Sequence, residues 1–137
     1  MTYYAVFDTN VLVSSLLTKN EDAATAKVIY EIASKRIIPI YSKEIFEEYN
    51  EVLHRDKFPF TDERIDGLLR VIVQFGILVE PTPTGIELPD EKDVVFYEVV
   101  MDKRDDDAYL ITGNKKHFPD RQCIVTPSEM MDIIDNE

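Results

Sequence analysis

Four short segments carry the residues whose types and spacing could do chemistry: Asp8-Thr9-Asn10, Glu48 within Ser42–Leu53, Asp90-Glu-Lys-Asp93, and Thr112-Gly-Asn114. Asp8 closes an apolar run, Tyr3–Phe7, without a Gly- or Pro-rich turn to account for it. It serves either as the cap of the following segment or as a functional acid. Glu48 projects beside Ile45 and Val52 at about 100° per residue, whereas Glu47 and Glu51 turn away. An acid bordering a buried stripe wants a cation, supplied by an Arg, a Lys or a metal ion. Asp90 and Asp93 flank a helix start, and Asp93 is expected to cap it. Gly113 permits a tight turn, after which Asn114 presents a fourth oxygen. Three carboxylates and one amide are the oxygen-only donor set of a hard divalent cation that keeps waters and completes its shell with phosphate.

The elements that must position these residues follow from periodicity. Strands are expected at Tyr3–Phe7, Ile37–Tyr41, Ile77–Glu80, Tyr109–Thr112 and Ile124–Val125, with Pro39 pushing the second toward a sheet edge or a bulge. Helices alternate with them. Ala23–Ser34 has Ala26, Ile29, Tyr30 and Ala33 along one face. Ser42 caps a helix to about Arg55, and Thr61 caps one through Ile65, Leu68, Leu69 and Ile72 that stops at Gly76. Another runs from Asp93 through Phe96, Val99 and Val100, and Thr126-Pro-Ser-Glu129 is a capping box for the last. This alternation predicts a three-layer α/β/α sandwich around a parallel sheet of about five strands. Ligands of such sheets bind beyond the carboxyl ends of the strands, where strand order reverses.

With 137 residues, 45% of them apolar, the chain is expected to form a single domain, 1–137. One cysteine, Cys123, rules out an internal disulfide and suits a reducing, cytoplasmic setting. No apolar run approaches a bilayer span, and the first residues lack the pattern of a signal peptide. There is no HExxH, P-loop or GxGxxG, and His54 and His117 read as isolated. The net charge of −12 opposes general nucleic-acid binding.

The four segments, with Val11–Val13 and Thr126–Met130, resemble the PIN-domain family over nearly the whole chain. Within that family the chain resembles short prokaryotic toxins of toxin–antitoxin systems. The resemblance implies a parallel sheet flanked by helices and metal-dependent ribonuclease chemistry in an acidic pocket. It assigns Asp8, Glu48 and Asp93 to the family acids, with Asp90 as a neighbouring candidate. Thr112 matches a hydroxyl residue beside the fourth acid, and Thr9 and Asn10 match the residues after the first. Asn114 departs from the pattern, since many members carry Asp there. It still offers an oxygen but one less negative charge.

The expected mechanism places one or two Mg²⁺ or Mn²⁺ ions on Asp8, Glu48, Asp93 and Asn114, activating water against an RNA phosphodiester. Lys115 and Lys116 lie at the rim, where they serve either as phosphate contacts or as solvated loop residues. His54, Arg55 and Lys57 form a second basic spot, and Asp105–Asp107 reads as a solvated loop. Two rivals stand beside the ribonuclease. One is a catalytically weak or inactive PIN-like module that binds RNA or protein. The other is a phosphatase with Asp8 as nucleophile, which the Asn at position 10 disfavours. The toxin likeness further implies an antitoxin partner and homodimers.

Overall fold

The computed structural model describes residues 1–137. Tyr3–Phe7 (β1), Ile37–Tyr41 (β2), Ile77–Leu78 (β3), Tyr109–Ile111 (β4) and Ile124–Val125 (β5) form one sheet in the order β3-β2-β1-β4-β5. Every pairing is parallel. Ala5, Val6 and Phe7 in the central strand are all buried, as a sheet covered on both faces requires.

Six helices cover it: Thr9–Leu17 (α1), Ala24–Ala33 (α2), Lys43–Leu53 (α3), Asp62–Phe75 (α4), Val94–Asp102 (α5) and Pro127–Asp135 (α6). The connections β1-α1-α2-β2 and β2-α3-α4-β3 step one way along the sheet, and the α5 connection steps back across it to β4. Right-handed crossovers therefore put α5 on the opposite face from α2 and α4. The packing agrees, since α2 touches α4 and α6 while α5 crosses β1, β2 and β4. This is a three-layer α/β/α fold. No helix is long and apolar enough to cross a membrane.

The reversal lies between β1 and β4. Their register sets Phe7 opposite Ile111, so the next residues, Asp8 and Thr112, emerge side by side at the carboxyl ends.

Several expectations need correction. Helix α1 adds an element to those expected, and Thr9, Leu12, Val13 and Leu16 follow the helical spacing within its short apolar run. In α2 the buried residues are Val28, Glu31 and Ile32, and Tyr30 is 69% exposed. A charged residue in the buried stripe misdirected the pattern. Glu31 is tolerated there because Arg36 pairs with it and Ser34 Oγ donates to it at 3.0 Å. Pro39 lies neither at an edge nor in a bulge: β2 sits between β1 and β3. The ladder to β3 begins at Ile40, one residue beyond it, where the missing N–H matters less. Strand β3 itself ends at Leu78, two residues earlier than expected, and is exposed.

Because Glu31 is only 4% exposed, removing its partner strands a buried charge. Arg36→Ala is expected to cost about 2–4 kcal/mol, near the lower part of the range for broken buried pairs because Arg36 is itself partly exposed. Glu31→Gln should cost less, and urea denaturation of both variants measures the asymmetry.

Candidate functional site

Three acids reach the switch point from three elements, and one tyrosine ties those elements together. Tyr49 on α3 is buried, and its hydroxyl donates to the carbonyl of Phe7 at the end of β1. Its ring packs 6.2 Å from that of Phe96 on α5. This contact holds α3 against the strand end that carries Asp8 and beside the helix that Asp93 precedes.

Asp8 occupies the cap position of α1, yet its side chain makes no capping bond. Its Oδ2 instead accepts a buried hydrogen bond from Thr112 Oγ1 at 2.7 Å. Thr112 Oγ1 in turn accepts from the Asn114 amide N–H at 3.0 Å, which fixes the turn after β4. On the opposite side Thr9 Oγ1 donates to Glu48 Oε2 at 2.6 Å. Glu48 is half-buried, as its place beside the apolar stripe of α3 requires.

At the start of α5 the capping bond falls to Asp90, and Asp93 is left to the acid role that the resemblance assigns it. Asp90 caps a 3₁₀ turn, Glu91–Asp93, by accepting from the Lys92 N–H at 3.0 Å, and remains exposed. Asp93 makes no capping bond, so its carboxylate is free to turn inward. Its side chain is only 14% exposed, and its buried Oδ2 takes no hydrogen bond.

His117, which read as isolated, is brought here by a second 3₁₀ turn, Lys115–His117. Its Nδ1 lies 3.3 Å from Asp93 Oδ2, and Asn114 Nδ2 lies 3.1 Å from its Nε2. Only its position three residues after Asn114 could have signalled this. Lys92 also escaped notice, and its charge favours the ionised form of Glu48.

The remaining candidates stand apart. Asn10 is exposed on the first turn of α1, and Lys116 is exposed. Lys115 turns toward α6, where it pairs with Glu129 at 3.1 Å. His54 reaches Asp62 at 3.6 Å, and Arg55 pairs with Glu51 on its own helix. Asp105 and Asp106 lie in a 3₁₀ turn that Asp107 closes with φ 57°, away from the acids.

The electrostatics are those of crowded acids that Lys92 and His117 offset only in part. Burial pushes the Asp8 carboxyl up, against the opposing pull of the Thr112 hydrogen bond. Burial also raises Glu48, against the hydrogen bond from Thr9 and with help from the Asp8 charge. Asp93 is raised to about 6, first by burial and then by the charges of Asp8 and Asp90. Each acid therefore holds its proton more tightly folded than unfolded.

The stabilisation this brings is present in full below the ordinary carboxylate range and is lost as pH rises through about 6. Glu129 shifts the opposite way, but its effect falls below about pH 4.5. The metal-free protein is accordingly expected to melt several degrees lower at pH 7.5 than at pH 5, with an Asp93 NMR titration near 6. A melting temperature that rises across that interval would contradict the assignment.

The donor set suits a hard divalent ion. Asp8, Glu48 and Asp93 offer carboxylate oxygens, and the buried Asp93 Oδ2 is faced by the His117 ring at 3.3 Å. No three His, Cys, Asp or Glu side chains close into a ready-made cage, so waters would fill much of the shell. Retaining several waters is the habit of Mg²⁺.

A family model described as the PIN domain matches residues 4–116, which contain every acid of the site. Neither a curated protein nor a solved structure matches the chain.

Proposed function

The chain belongs to the PIN-domain family, whose members are generally metal-dependent nucleases, and we propose that it is a Mg²⁺- or Mn²⁺-dependent ribonuclease acting as a toxin of a toxin–antitoxin pair. The observation that carries the reading is the grouping of Asp8, Glu48 and Asp93 at the switch point, near enough for the charge of Asp8 to act on both of the others.

When bound, the ion neutralises charge developing on the phosphate and acidifies water. The chain's own residues do the rest. Asp8, Glu48 and Asp93 would hold the ion. Thr112 and Thr9 each donate to one carboxylate oxygen, of Asp8 and Glu48 respectively, and so orient the two acids that would hold the ion. Lys92 and Lys116 are the nearby cations not drawn into an ion pair, and they offset phosphate charge at the mouth. Lys115, engaged with Glu129, is the weaker phosphate contact of the two lysines at the rim.

The site fits single-stranded RNA held through a bound ion, because a chain of net charge −12 has no general basic surface to offer. The same charge favours a basic antitoxin segment as partner. The free, buried Cys123 accords with a cytoplasmic setting.

A second reading, a silent module that binds RNA or protein, draws on Asn114 and on the absence of a closed cage. Incubation with single-stranded RNA separates the two. We expect cleavage with Mn²⁺ and none with EDTA, and intact RNA under both conditions would favour the silent module.

A further inference from the structure

Asn114 stands where the family pattern calls for a fourth acid, and its side chain is directed at His117. Its amide nitrogen lies 3.3 Å from Nδ1 and 3.1 Å from Nε2 of that ring. The ring is in turn directed at Asp93, with Nδ1 3.3 Å from Oδ2. A charge-assisted N–H···O bond is about 2.7–2.9 Å long, and the contact between Asp93 Oδ2 and His117 is longer than that. The separation is better suited to two donors of one ion. Donors each about 2.1 Å from a common centre and at right angles lie about 3 Å apart.

We propose that His117 Nδ1 and Asp93 Oδ2 together ligate the divalent ion, giving a mixed nitrogen–oxygen shell that prefers Mn²⁺ to Mg²⁺. The inference rests on the metal-dependent reading above and adds to it a ligand and a selectivity. Mg²⁺ seeks oxygen donors, whereas first-row divalent ions also accept imidazole.

Asn114 then has a defined part. A ligating imidazole donates its other ring N–H to an oxygen, which fixes tautomer and ring orientation. Asn114 is within reach of both ring nitrogens, slightly nearer Nε2, and a half-turn of its amide presents Oδ1 to an Nε2–H. The charge lost by having Asn instead of Asp is thus exchanged for a nitrogen donor held in place.

Pulsed EPR of the full chain loaded with Mn²⁺ tests this without reference to activity. The chain has two histidines, His54 and His117, and His54 lies beside Asp62, so it serves as the control. With ¹⁵N-labelled histidine, a nitrogen coupling to Mn²⁺ is expected in the wild type and in His54→Gln, and its loss in His117→Gln. Affinity for Mn²⁺ relative to Mg²⁺ should fall about 10-fold in His117→Gln. Mn²⁺ bound without nitrogen coupling in the wild type, a measurement that needs no variant, overturns this inference and leaves the metal site standing. Failure of the wild type to bind Mn²⁺ at all overturns both.

Discussion

Replacing Asp8 by Asn is expected to lower Mn²⁺-dependent RNA cleavage by more than about 100-fold while leaving the protein folded. The size follows from position. Loss of an outer partner of a metal ligand costs about 10–100-fold, and Asp8 is placed as a ligand itself. The fold should survive because Asn keeps an oxygen for the Thr112 hydroxyl, which now bonds Asp8 Oδ2 at 2.7 Å. The substitution also removes a carboxylate whose charged form burial disfavours. Melting temperature at neutral pH should therefore hold or rise as activity disappears. Equal cleavage rates for wild type and Asp8→Asn would remove Asp8 from the chemistry.

The largest effect on stability is expected at Gly76, far from any acid. The sequence suggests a helix-stopping glycine of the left-handed kind, but its φ of −101° and ψ of 178° are extended backbone open to any residue. What requires glycine is space. A Cβ there would collide with the backbone carbonyl of Ile72 and lie 2.8 Å from that of Pro39. Neither oxygen can swing away as a flexible side chain would, so α4 and β2 must move apart. Gly76→Ala is expected to destabilise by about 3 kcal/mol or more, at the upper end of overpacking costs. Gly67→Ala, with nothing near its Cβ, is the control. At that exposed position in α4 it should be neutral or stabilising by up to about 1 kcal/mol. Chemical denaturation of the two variants gives the comparison.

The strands were legible because Tyr3–Phe7 and Ile37–Tyr41 are apolar runs bounded by polar residues, and a buried parallel sheet leaves that signature. The caps at Ser42, Thr61 and Thr126 were legible from short-range chemistry alone, and each accepts the expected backbone N–H. Glu48 could be singled out from its neighbours because helix geometry places it beside the buried stripe. The misreadings have two causes, short turns that no periodicity encodes and contacts between residues distant in sequence. Glu31 is buried because Arg36 returns to pair with it. Asp90 rather than Asp93 caps because a 3₁₀ turn precedes α5. Tyr49 looks like an ordinary core residue until its hydroxyl meets Phe7. His117 enters the site only through the turn after β4, and no periodicity encodes that.

Paramagnetic broadening by Mn²⁺ tests most directly whether these acids hold a metal ion. In an amide NMR spectrum of the metal-free protein, substoichiometric Mn²⁺ is predicted to erase first the signals of Asp8-Thr9, Glu48, Asp93 and Thr112–Asn114. Broadening that begins instead at Asp105–Asp107 or at Glu44, Glu47 and Glu51, or no localised broadening, would contradict the account.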